Sequence, residues 1–154
     1  MTLTIVKQSS FRTQTDLDAL KAVLVWFDEF QSLPIPKATW LQCQLALIEG
    51  FTNAVRHAHD GMPPETPIEI EAIATTEALN INIWDQGPGF DFNATLRRKL
   101  ETTNPDSEGG RGLRIMRRIA DSVEYECYGG RRNCLHIHKQ FKTALVKDGP
   151  LGSS

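Results

Sequence analysis

The length, composition and charge of this chain set limits on what it can be. At 154 residues, with 40% of them hydrophobic and 23% charged, it suits one globular domain around one core. A formal net charge of −2 leaves no basic excess for nucleic acid, and no apolar run approaches the roughly 18 residues of a membrane span. Three cysteines without a C-x-x-C pair, and no secretory leader, predict a reducing, cytoplasmic setting.

The first part of the sequence predicts one strand followed by a helix. Residues 2–7 alternate in polarity as a strand does, and Thr15 with Asp16 offers a helix cap. Two prolines in residues 32–36 end the helix, because proline lacks the backbone N–H and clashes with the preceding turn. One apolar stripe at helical spacing runs along this helix: Leu17, Leu20, Leu24, Phe27 and Phe30.

A second, longer helix is predicted from Lys37 to about His59. Apolar residues follow helical spacing on two of its faces, so we expect it to be well buried. The first face comprises Leu41, Leu45, Ile48 and Val55. The second comprises Leu47, Phe51, Ala54 and Ala58.

The rest of the sequence predicts mainly strands. After a proline-rich loop at 60–67, PIEIEAIA and ALNINIWD alternate apolar with polar side chains, as strands covered on one side do. There follow a short helix at 94–101, a glycine-ended loop at 102–112, a helix at 113–121, and strands at 122–128 and 133–141. This order predicts an α+β fold: a two-layer α/β sandwich with a mainly antiparallel mixed sheet and helices on one face.

Three groups of residues stand out from this framework. On the long helix, Glu49, Asn53 and His57 lie four residues apart and therefore share a face. A carboxylate and an amide are costly to bury in an apolar helix unless they have partners. The second group is D-x-G-x-G at 85–89, directly after a strand. The third is GGRG at 109–112, directly before a helix, where free backbone amides suit phosphates.

Each group also has a plain structural interpretation. Glu49 and Asn53 could cap or bridge elements of the core, D-x-G-x-G could be a simple turn, and GGRG could be a loop that enters a helix. Taken singly, these interpretations compete well with a functional one. The three groups in this order, on a helix, at a strand end and at a helix start, favour a functional site.

These groups resemble the motifs of a known family. EGFTNAVRHAH is similar to the N box of the Bergerat (GHKL) ATP-binding fold, and WDQGPGFD and GGRGLRIM are similar to its two glycine boxes. Within that fold, the sequence most resembles the small bacterial anti-sigma factors that are also serine/threonine kinases. The likeness covers residues 1–142, which we expect to form one ATPase domain, with 143–154 as a flexible C-terminal tail.

The resemblance implies a role for each motif residue. Asn53 would coordinate Mg²⁺, Glu49 would be the general base that polarises a serine hydroxyl, and Asp85 would accept a hydrogen bond from the adenine amine. The glycines at 87 and 89 would let the backbone approach the base, those at 109–112 would wrap the phosphates, and the segment between the two glycine boxes would be a mobile lid. Besides Asn53 and Asp85, the resemblance thus implies these nucleotide-binding positions: His57, Gly87, Gly89, Gly109, Gly110, Arg111, Gly112 and Leu113.

The resemblance also implies ATP and Mg²⁺ as cofactors and a partner-switching function. The protein would phosphorylate an antagonist protein, bind a sigma factor and form a homodimer, with no direct contact to nucleic acid or membrane. Two alternatives stay open: a regulatory module that binds nucleotide without transferring phosphate, and a switch kinase that binds no sigma factor. Glu49 favours a kinase over the binding module, since only phosphotransfer needs a general base.

The sequence departs from the family pattern at two places. Where the family often has Gly-Thr-Thr in its last strands, this chain reads RRNCLHI. Either Asn133 or Cys134 replaces the threonine that helps form the adenine pocket, or the affinity for adenine is lower. Gly50 follows Glu49 where alanine is common, at a cost of about 1 kcal/mol within a helix.

The histidines raise the alternative of a zinc site. His57 and His59 lie two residues apart on a helix and so do not face together. Cys134, His136 and His138 do share one face of a predicted strand, and cysteine and histidine are zinc ligands. Because this is the polar face of the strand, solvated side chains are the simpler interpretation.

Overall fold

The described part of the chain, residues 4–89 and 108–142, forms a sheet covered on one face by helices. The structure is a computed structural model, and in the second stretch it describes side chains from residue 112 onward. The strands are β1 (Ile5–Gln14), β2 (Pro67–Thr75), β3 (Ala78–Asp85), β4 (Ser122–Cys127) and β5 (Asn133–Gln140). The helices are α1 (Leu20–Phe27), α2 (Lys37–Asn53) and α3 (Glu108–Ile119).

The sheet has the strand order β1-β2-β3-β5-β4, and each neighbouring pair is antiparallel. Its register places Ile83 of β3 opposite Ile70 of β2 and Leu135 of β5, so apolar side chains form rows across one face. The predicted α+β fold, mainly antiparallel with helices on one face, is confirmed.

The core lies between that face and the helices. Burying each large apolar side chain contributes roughly 1.5–3 kcal/mol, which makes this layer the main source of stability. The largest fully buried apolar side chains are Val23, Phe27, Phe30, Leu47, Phe51, Ile68, Ile70, Leu79, Ile81, Ile83 and Met116.

The predicted stripe of the first helix is buried in part: Phe27 and Phe30 are fully buried as predicted, and Leu20 packs partly buried against the core. Leu17 lies in a 3₁₀ turn (Leu17–Ala19) before α1 and is 38% exposed, while Val23 and Trp26 are buried beside Phe27. A 3₁₀ turn holds three residues rather than 3.6, so it changes the phase at which the following helix presents its side chains. Asp16 caps this turn by accepting a hydrogen bond from the Asp18 amide, as the sequence predicted for this position.

Of the two predicted apolar faces of α2, the second is the core face, while the first is only partly covered, with Val55 packed against the core. Leu41 and Leu45 are 46% and 38% exposed, so the prediction that they are buried is wrong. The face that carries Leu47 and Phe51 is buried as predicted. Gly50 decides between the two faces, since a Cβ there would lie 2.5 Å from Ile83 Cδ1, and the helix rests on the sheet at this point.

Two elements are longer than their sequence patterns predict. β1 continues to Gln14 because residues 8–14 pair with β2, although Phe11 is their only large apolar side chain. It stacks on Trp26, with ring centroids 5.7 Å apart. α3 begins at Glu108 rather than at 113, so the glycines of GGRG belong to the helix.

Three predictions concern residues outside the described stretches. These are the short helix at 94–101, the lid between the two glycine boxes and the tail at 143–154. The described residues contain no helix long and apolar enough to cross a membrane.

Candidate functional site

The candidate site lies where the end of β3 meets the start of β5 and the end of α2. Asp85 is the last residue of β3 and pairs with Asn133, the first residue of β5. Residues alternate across a strand, so Asp85 follows Leu79, Ile81 and Ile83 on the helix-covered face. It is only 3% exposed. A carboxylate placed there must be satisfied by hydrogen bonds.

Three hydrogen bonds hold the Asp85 carboxylate. Its Oδ1 accepts from the Gly87 amide at 2.9 Å and from Asn133 Nδ2 at 2.8 Å. Its Oδ2 accepts from the Tyr125 hydroxyl at 2.8 Å. Hydrogen bonds to an ionised acceptor are stronger than neutral ones, and they offset much of the cost of burying the charge.

Tyr125 reaches Asp85 from β4, which is separated from β3 by β5. Burial, and then the neighbouring Asp85 charge and hydrogen bond, raise the pKa of Tyr125 far above its usual range. The hydroxyl therefore remains protonated and donates at any physiological pH. No spacing rule links position 125 to position 85, so the sequence alone does not predict this residue.

Asn133, and not Cys134, contacts Asp85. Both Nδ2 protons of Asn133 are used, one by Asp85 Oδ1 and the other by the Gly87 carbonyl oxygen at 3.0 Å. Cys134 lies on the opposite face of β5, where its thiol contacts His136 Nδ1 at 3.6 Å. Of the two residues that the sequence left open at this place, only Asn133 faces the site.

Glycine is required at two positions of the D-x-G-x-G turn. A Cβ at Gly87 would overlap the carbonyl oxygen of Ala58, at the end of a π-helical turn (Ala54–Ala58) that extends α2. Gly89 has φ +84°, and a Cβ there would lie 2.9 Å from Cys127 Sγ. The turn is therefore packed against both α2 and β4.

His59 fixes the same turn from the helix side. It is 1% exposed, and its Nε2 accepts a hydrogen bond from the Gln86 amide at 2.8 Å. An acceptor Nε2 requires the neutral ring with its proton on Nδ1, which donates to Thr15 Oγ1 at 2.7 Å. Thr15 in turn donates to the Thr66 carbonyl at 2.8 Å.

The neutral state of His59 agrees with its surroundings. Burial, the largest effect, lowers its pKa; the Asp85 charge opposes this and the Arg131 charge adds to it. Arg131 also donates from Nε to the Gln86 carbonyl at 3.2 Å, so both groups of the Gln86 backbone are held. The resemblance implied His57 and not His59. The π-helical turn, which the sequence does not reveal, leaves His57 exposed and His59 buried.

A second cluster lies on α2 and α3. Glu49 is half-buried, and a Cβ on Gly112 would lie 2.6 Å from its Oε1, so the carboxylate lies directly against the backbone of α3. Asn53, one turn further along α2, is also half-buried. The structure thus brings Glu49 next to Gly112, the last residue of the GGRG segment.

The GGRG segment forms the beginning of α3 rather than a loop before it. Gly109, Gly110 and Arg111 lie in the first turn, where backbone amides have no partner within the helix. Gly112 and Leu113 follow, and Leu113 is buried in the core. Glycine has no side chain to cover its own amide, and the positive end of a helix dipole favours an anion.

The opposite face of the sheet carries the residues considered for zinc. His136 Nδ1 lies 2.8 Å from Asn82 Oδ1 and its Nε2 lies 2.9 Å from Glu126, while His138 Nδ1 lies 2.6 Å from Asn80 Oδ1. Burial raises the pKa of the Cys134 thiol to about 12, which disfavours the thiolate that zinc requires. Among the described residues, no group of three or more metal-ligating side chains is arranged to hold a metal ion.

Fold and site together define an α+β domain with a polar site between the helix layer and the strand ends. The chain belongs to the family of the histidine kinase-like ATPase domain, whose model matches residues 13–139.

Three relatives illustrate this membership. The chain is 31% identical over 93 residues to the serine-protein kinase RsbW of Bacillus pumilus, covering 56% of this chain and 57% of the relative. It is 27% identical over 106 residues to the anti-sigma F factor of Clostridium acetobutylicum, covering 68% and 71%. A third, RsbW of Bacillus velezensis, is 28% identical over 92 residues, 56% of this chain and 57% of the relative. The chain thus spans less than two thirds of the serine-protein kinases that it matches.

Proposed function

We propose that this protein is an ATP- and Mg²⁺-dependent serine/threonine kinase that acts as an anti-sigma factor and phosphorylates an antagonist protein. The observation that carries the proposal is the position of Glu49, whose carboxylate lies against Gly112. A carboxylate that can accept a proton therefore lies beside the beginning of α3, which supports the proposal. The names of the relatives, serine-protein kinase and anti-sigma F factor, support the same activity.

The proposed site has two ends. The base end comprises Asp85, Tyr125, Asn133 and the turn at 87–89, and there the Asp85 carboxylate accepts a hydrogen bond from the adenine amine. The phosphate end comprises Glu49, Asn53 and residues 109–113 of α3, and there backbone amides bind the phosphate oxygens. His57 and Arg111 remain proposed contacts of the phosphate end.

Asn53 fits the proposed ligand of Mg²⁺. Its amide oxygen is a hard oxygen donor of the kind that Mg²⁺ prefers, and asparagine holds Mg²⁺ beside substrate phosphates in protein kinases. Asn53 is half-buried on the same helix as Glu49, one turn away. When bound, the ion neutralises phosphate charge, which is the main requirement of phosphoryl transfer.

Glu49 acts on the acceptor hydroxyl. It takes the proton as the serine oxygen bonds to the terminal phosphorus of ATP and the bond from that phosphorus to the bridging oxygen breaks, releasing ADP. A positioned base of this kind contributes roughly 10²–10⁴-fold to the rate. Gly112 leaves the carboxylate room to lie where the phosphates arrive.

The partners are proposed on the relatives' names together with the fold. The antagonist protein presents the serine, a sigma factor is bound by the same domain, and the kinase is a homodimer in a reducing cytoplasm. Residues 1–142 form the functional domain.

The first test is a calorimetric titration of ATP with and without Mg²⁺ on the wild-type protein and Asp85→Asn. Tight, Mg²⁺-dependent binding that Asp85→Asn loses supports the ATP site. Asp28→Asn, an exposed aspartate at the end of α1, is the matched control and should bind as the wild type does. If the wild type binds no ATP, the proposal fails.

Phosphotransfer needs its own measurement. The chain, immobilised as bait, captures its antagonist, and transfer from ATP labelled at the γ position to that protein is then followed. Labelled serine on the antagonist supports the kinase; ATP binding without any transfer would favour a regulatory module that uses nucleotide as a ligand alone.

A further inference from the structure

The Asp85 carboxylate has few acceptor positions left. Two carboxylate oxygens offer about four lone-pair positions in all. Among the described residues, Gly87 and Asn133 occupy both positions on Oδ1, and Tyr125 occupies one on Oδ2. One position remains, on the oxygen that Tyr125 already contacts.

The three donors also fix the plane of the carboxylate. They come from the turn after β3, from β4 and from β5, so the group is held from three directions. Asn133 cannot rotate freely, because its second amide proton is bound to the Gly87 carbonyl oxygen. The acceptor position that remains therefore has a fixed direction.

A fixed position that can only accept a hydrogen bond discriminates between nucleotide bases. It bonds an N–H group, and it repels a carbonyl oxygen, which brings a second acceptor. Without the Tyr125 hydroxyl, a water molecule could take its place and turn to donate to a carbonyl, since water both donates and accepts. The Tyr125 hydroxyl, held in place as a donor to Asp85, keeps such a water molecule out.

We propose that Tyr125 and Asn133 are positioning residues that set the base selectivity of the site, by locking Asp85 so that it admits a purine with an amine at C6 and excludes one with a carbonyl there. This inference rests on the proposed ATP site. It assigns to Tyr125 of β4 a role that no motif contains, and it gives Asn133, which stands where the family often has threonine, a stated part in base selectivity.

The test compares the affinities of ATP and inosine triphosphate, which carries a carbonyl at C6. Both are titrated by calorimetry into the full chain, with Mg²⁺, for the wild type and Tyr125→Phe. The wild type should prefer ATP, and Tyr125→Phe should narrow the ratio of the two dissociation constants on the order of tenfold, as expected for losing one hydrogen bond to a charged group.

Tyr128→Phe is the matched control. It removes the same atom, and its hydroxyl bonds Glu126 at 2.8 Å on the opposite face of the sheet. The control should keep the wild-type ratio. If Tyr125→Phe does not fold, Asn133→Ala tests the same point. It should also narrow the ratio of the dissociation constants of the two nucleotides.

The outcomes separate this inference from the proposed function. A purely structural role for Tyr125 would weaken both nucleotides by the same factor and leave the ratio unchanged, and that result would overturn the inference while leaving the ATP site intact. A wild-type protein that binds neither nucleotide would overturn both.

Discussion

The two ends of the proposed site are built in different ways. At the base end, strand register sets the side chains, and hydrogen bonds from three elements hold the Asp85 carboxylate. At the phosphate end, helix packing sets the side chains, and no hydrogen bond between described residues restrains the side chains of Glu49 or Asn53. The proposed base end is thus held rigidly by the sheet, while the side chains proposed to engage a substrate and a metal ion are not held in this way.

The largest effect is expected at the phosphate end. Glu49→Gln keeps the shape of the side chain and removes the proton acceptor, so phosphotransfer should fall roughly 10²–10⁴-fold while ATP affinity is unchanged. The measurement is single-turnover transfer from labelled ATP to the captured antagonist. Glu77→Gln, at the exposed turn between β2 and β3, is the control. Transfer at the wild-type rate in Glu49→Gln would show that another group is the base.

Asn53→Ala tests the other side chain of the phosphate end. Loss of its amide oxygen should remove the strengthening of ATP binding by Mg²⁺, because the ion loses its protein ligand, while binding in the absence of Mg²⁺ persists. Calorimetric titration with and without Mg²⁺ measures this difference directly. A Mg²⁺ effect as large as in the wild type would rule out Asn53 as the metal ligand.

Gly87→Ala tests how rigid the base end is. The added Cβ would overlap the Ala58 carbonyl oxygen, a backbone atom that cannot move without shifting the turn, so we expect a loss of about 1–3 kcal/mol in the free energy of unfolding and weaker ATP binding. Urea unfolding and calorimetry measure the two effects. Gly61→Ala, where a Cβ meets nothing within 4 Å but φ is +80°, should leave ATP binding unchanged. Normal affinity in Gly87→Ala would mean that the turn adapts.

His59 predicts a pH dependence of stability at the base end. Its pKa is lower in the folded protein than the ordinary value of 6.5. Below pH 6.5 the unfolded chain therefore binds a proton that the folded chain resists, and stability falls as the pH drops. His59→Gln, which offers an acceptor and a donor but does not titrate, should lose less stability than the wild type between pH 7 and the folded pKa. Urea unfolding across that range measures the difference; parallel curves would exclude His59 as a source of acid sensitivity.

Gly50→Ala should have the smallest effect. Alanine gains about 1 kcal/mol of helix propensity, but its Cβ would lie 2.5 Å from Ile83 Cδ1 and 3.3 Å from Leu135 Cδ2. Both contacts are ends of flexible side chains, so we expect the free energy of unfolding to change by about 1 kcal/mol or less. Overpacking usually costs up to roughly 3 kcal/mol. A larger loss in the free energy of unfolding, measured with urea, would show that the helix and the sheet cannot move apart at this position.

The sequence predicted the layers of the fold better than the orientation of its helices. Alternation in β2 and β3 identified their buried faces correctly, because a strand has only two faces and the apolar side chains lie on one of them. On α2 two apolar faces competed, and helical spacing alone could not show that the glycine at position 50 selects the face of Leu47 over that of Leu41. On α1 the 3₁₀ turn at the start leaves Leu17 outside the buried stripe, and the spacing of the apolar residues does not mark that turn.

In the candidate site too, local patterns predicted some residues, while others depend on the tertiary structure. The motifs indicated Asp85 and Glu49 as candidate site residues, each by a local pattern. Tyr125 and Asn133 reach Asp85 only through the antiparallel pairing of β3, β5 and β4, and pairing between distant strands is not written in local spacing. His59 was missed because it differs from His57 only through the π-helical turn between Ala54 and Ala58.

The hairpin between β4 and β5 limits where this domain tolerates insertions. Surface hairpins usually accept an added reporter or tag, because their ends are fixed and their tips are free. Here one extra residue taken into β5 would exchange the faces of Asn133 and Cys134 and would turn the amide away from the carboxylate. A tag is therefore better inserted in the exposed turn at residues 76–77, at the end of β3 away from Asp85. Residues 128–132 should keep their natural length.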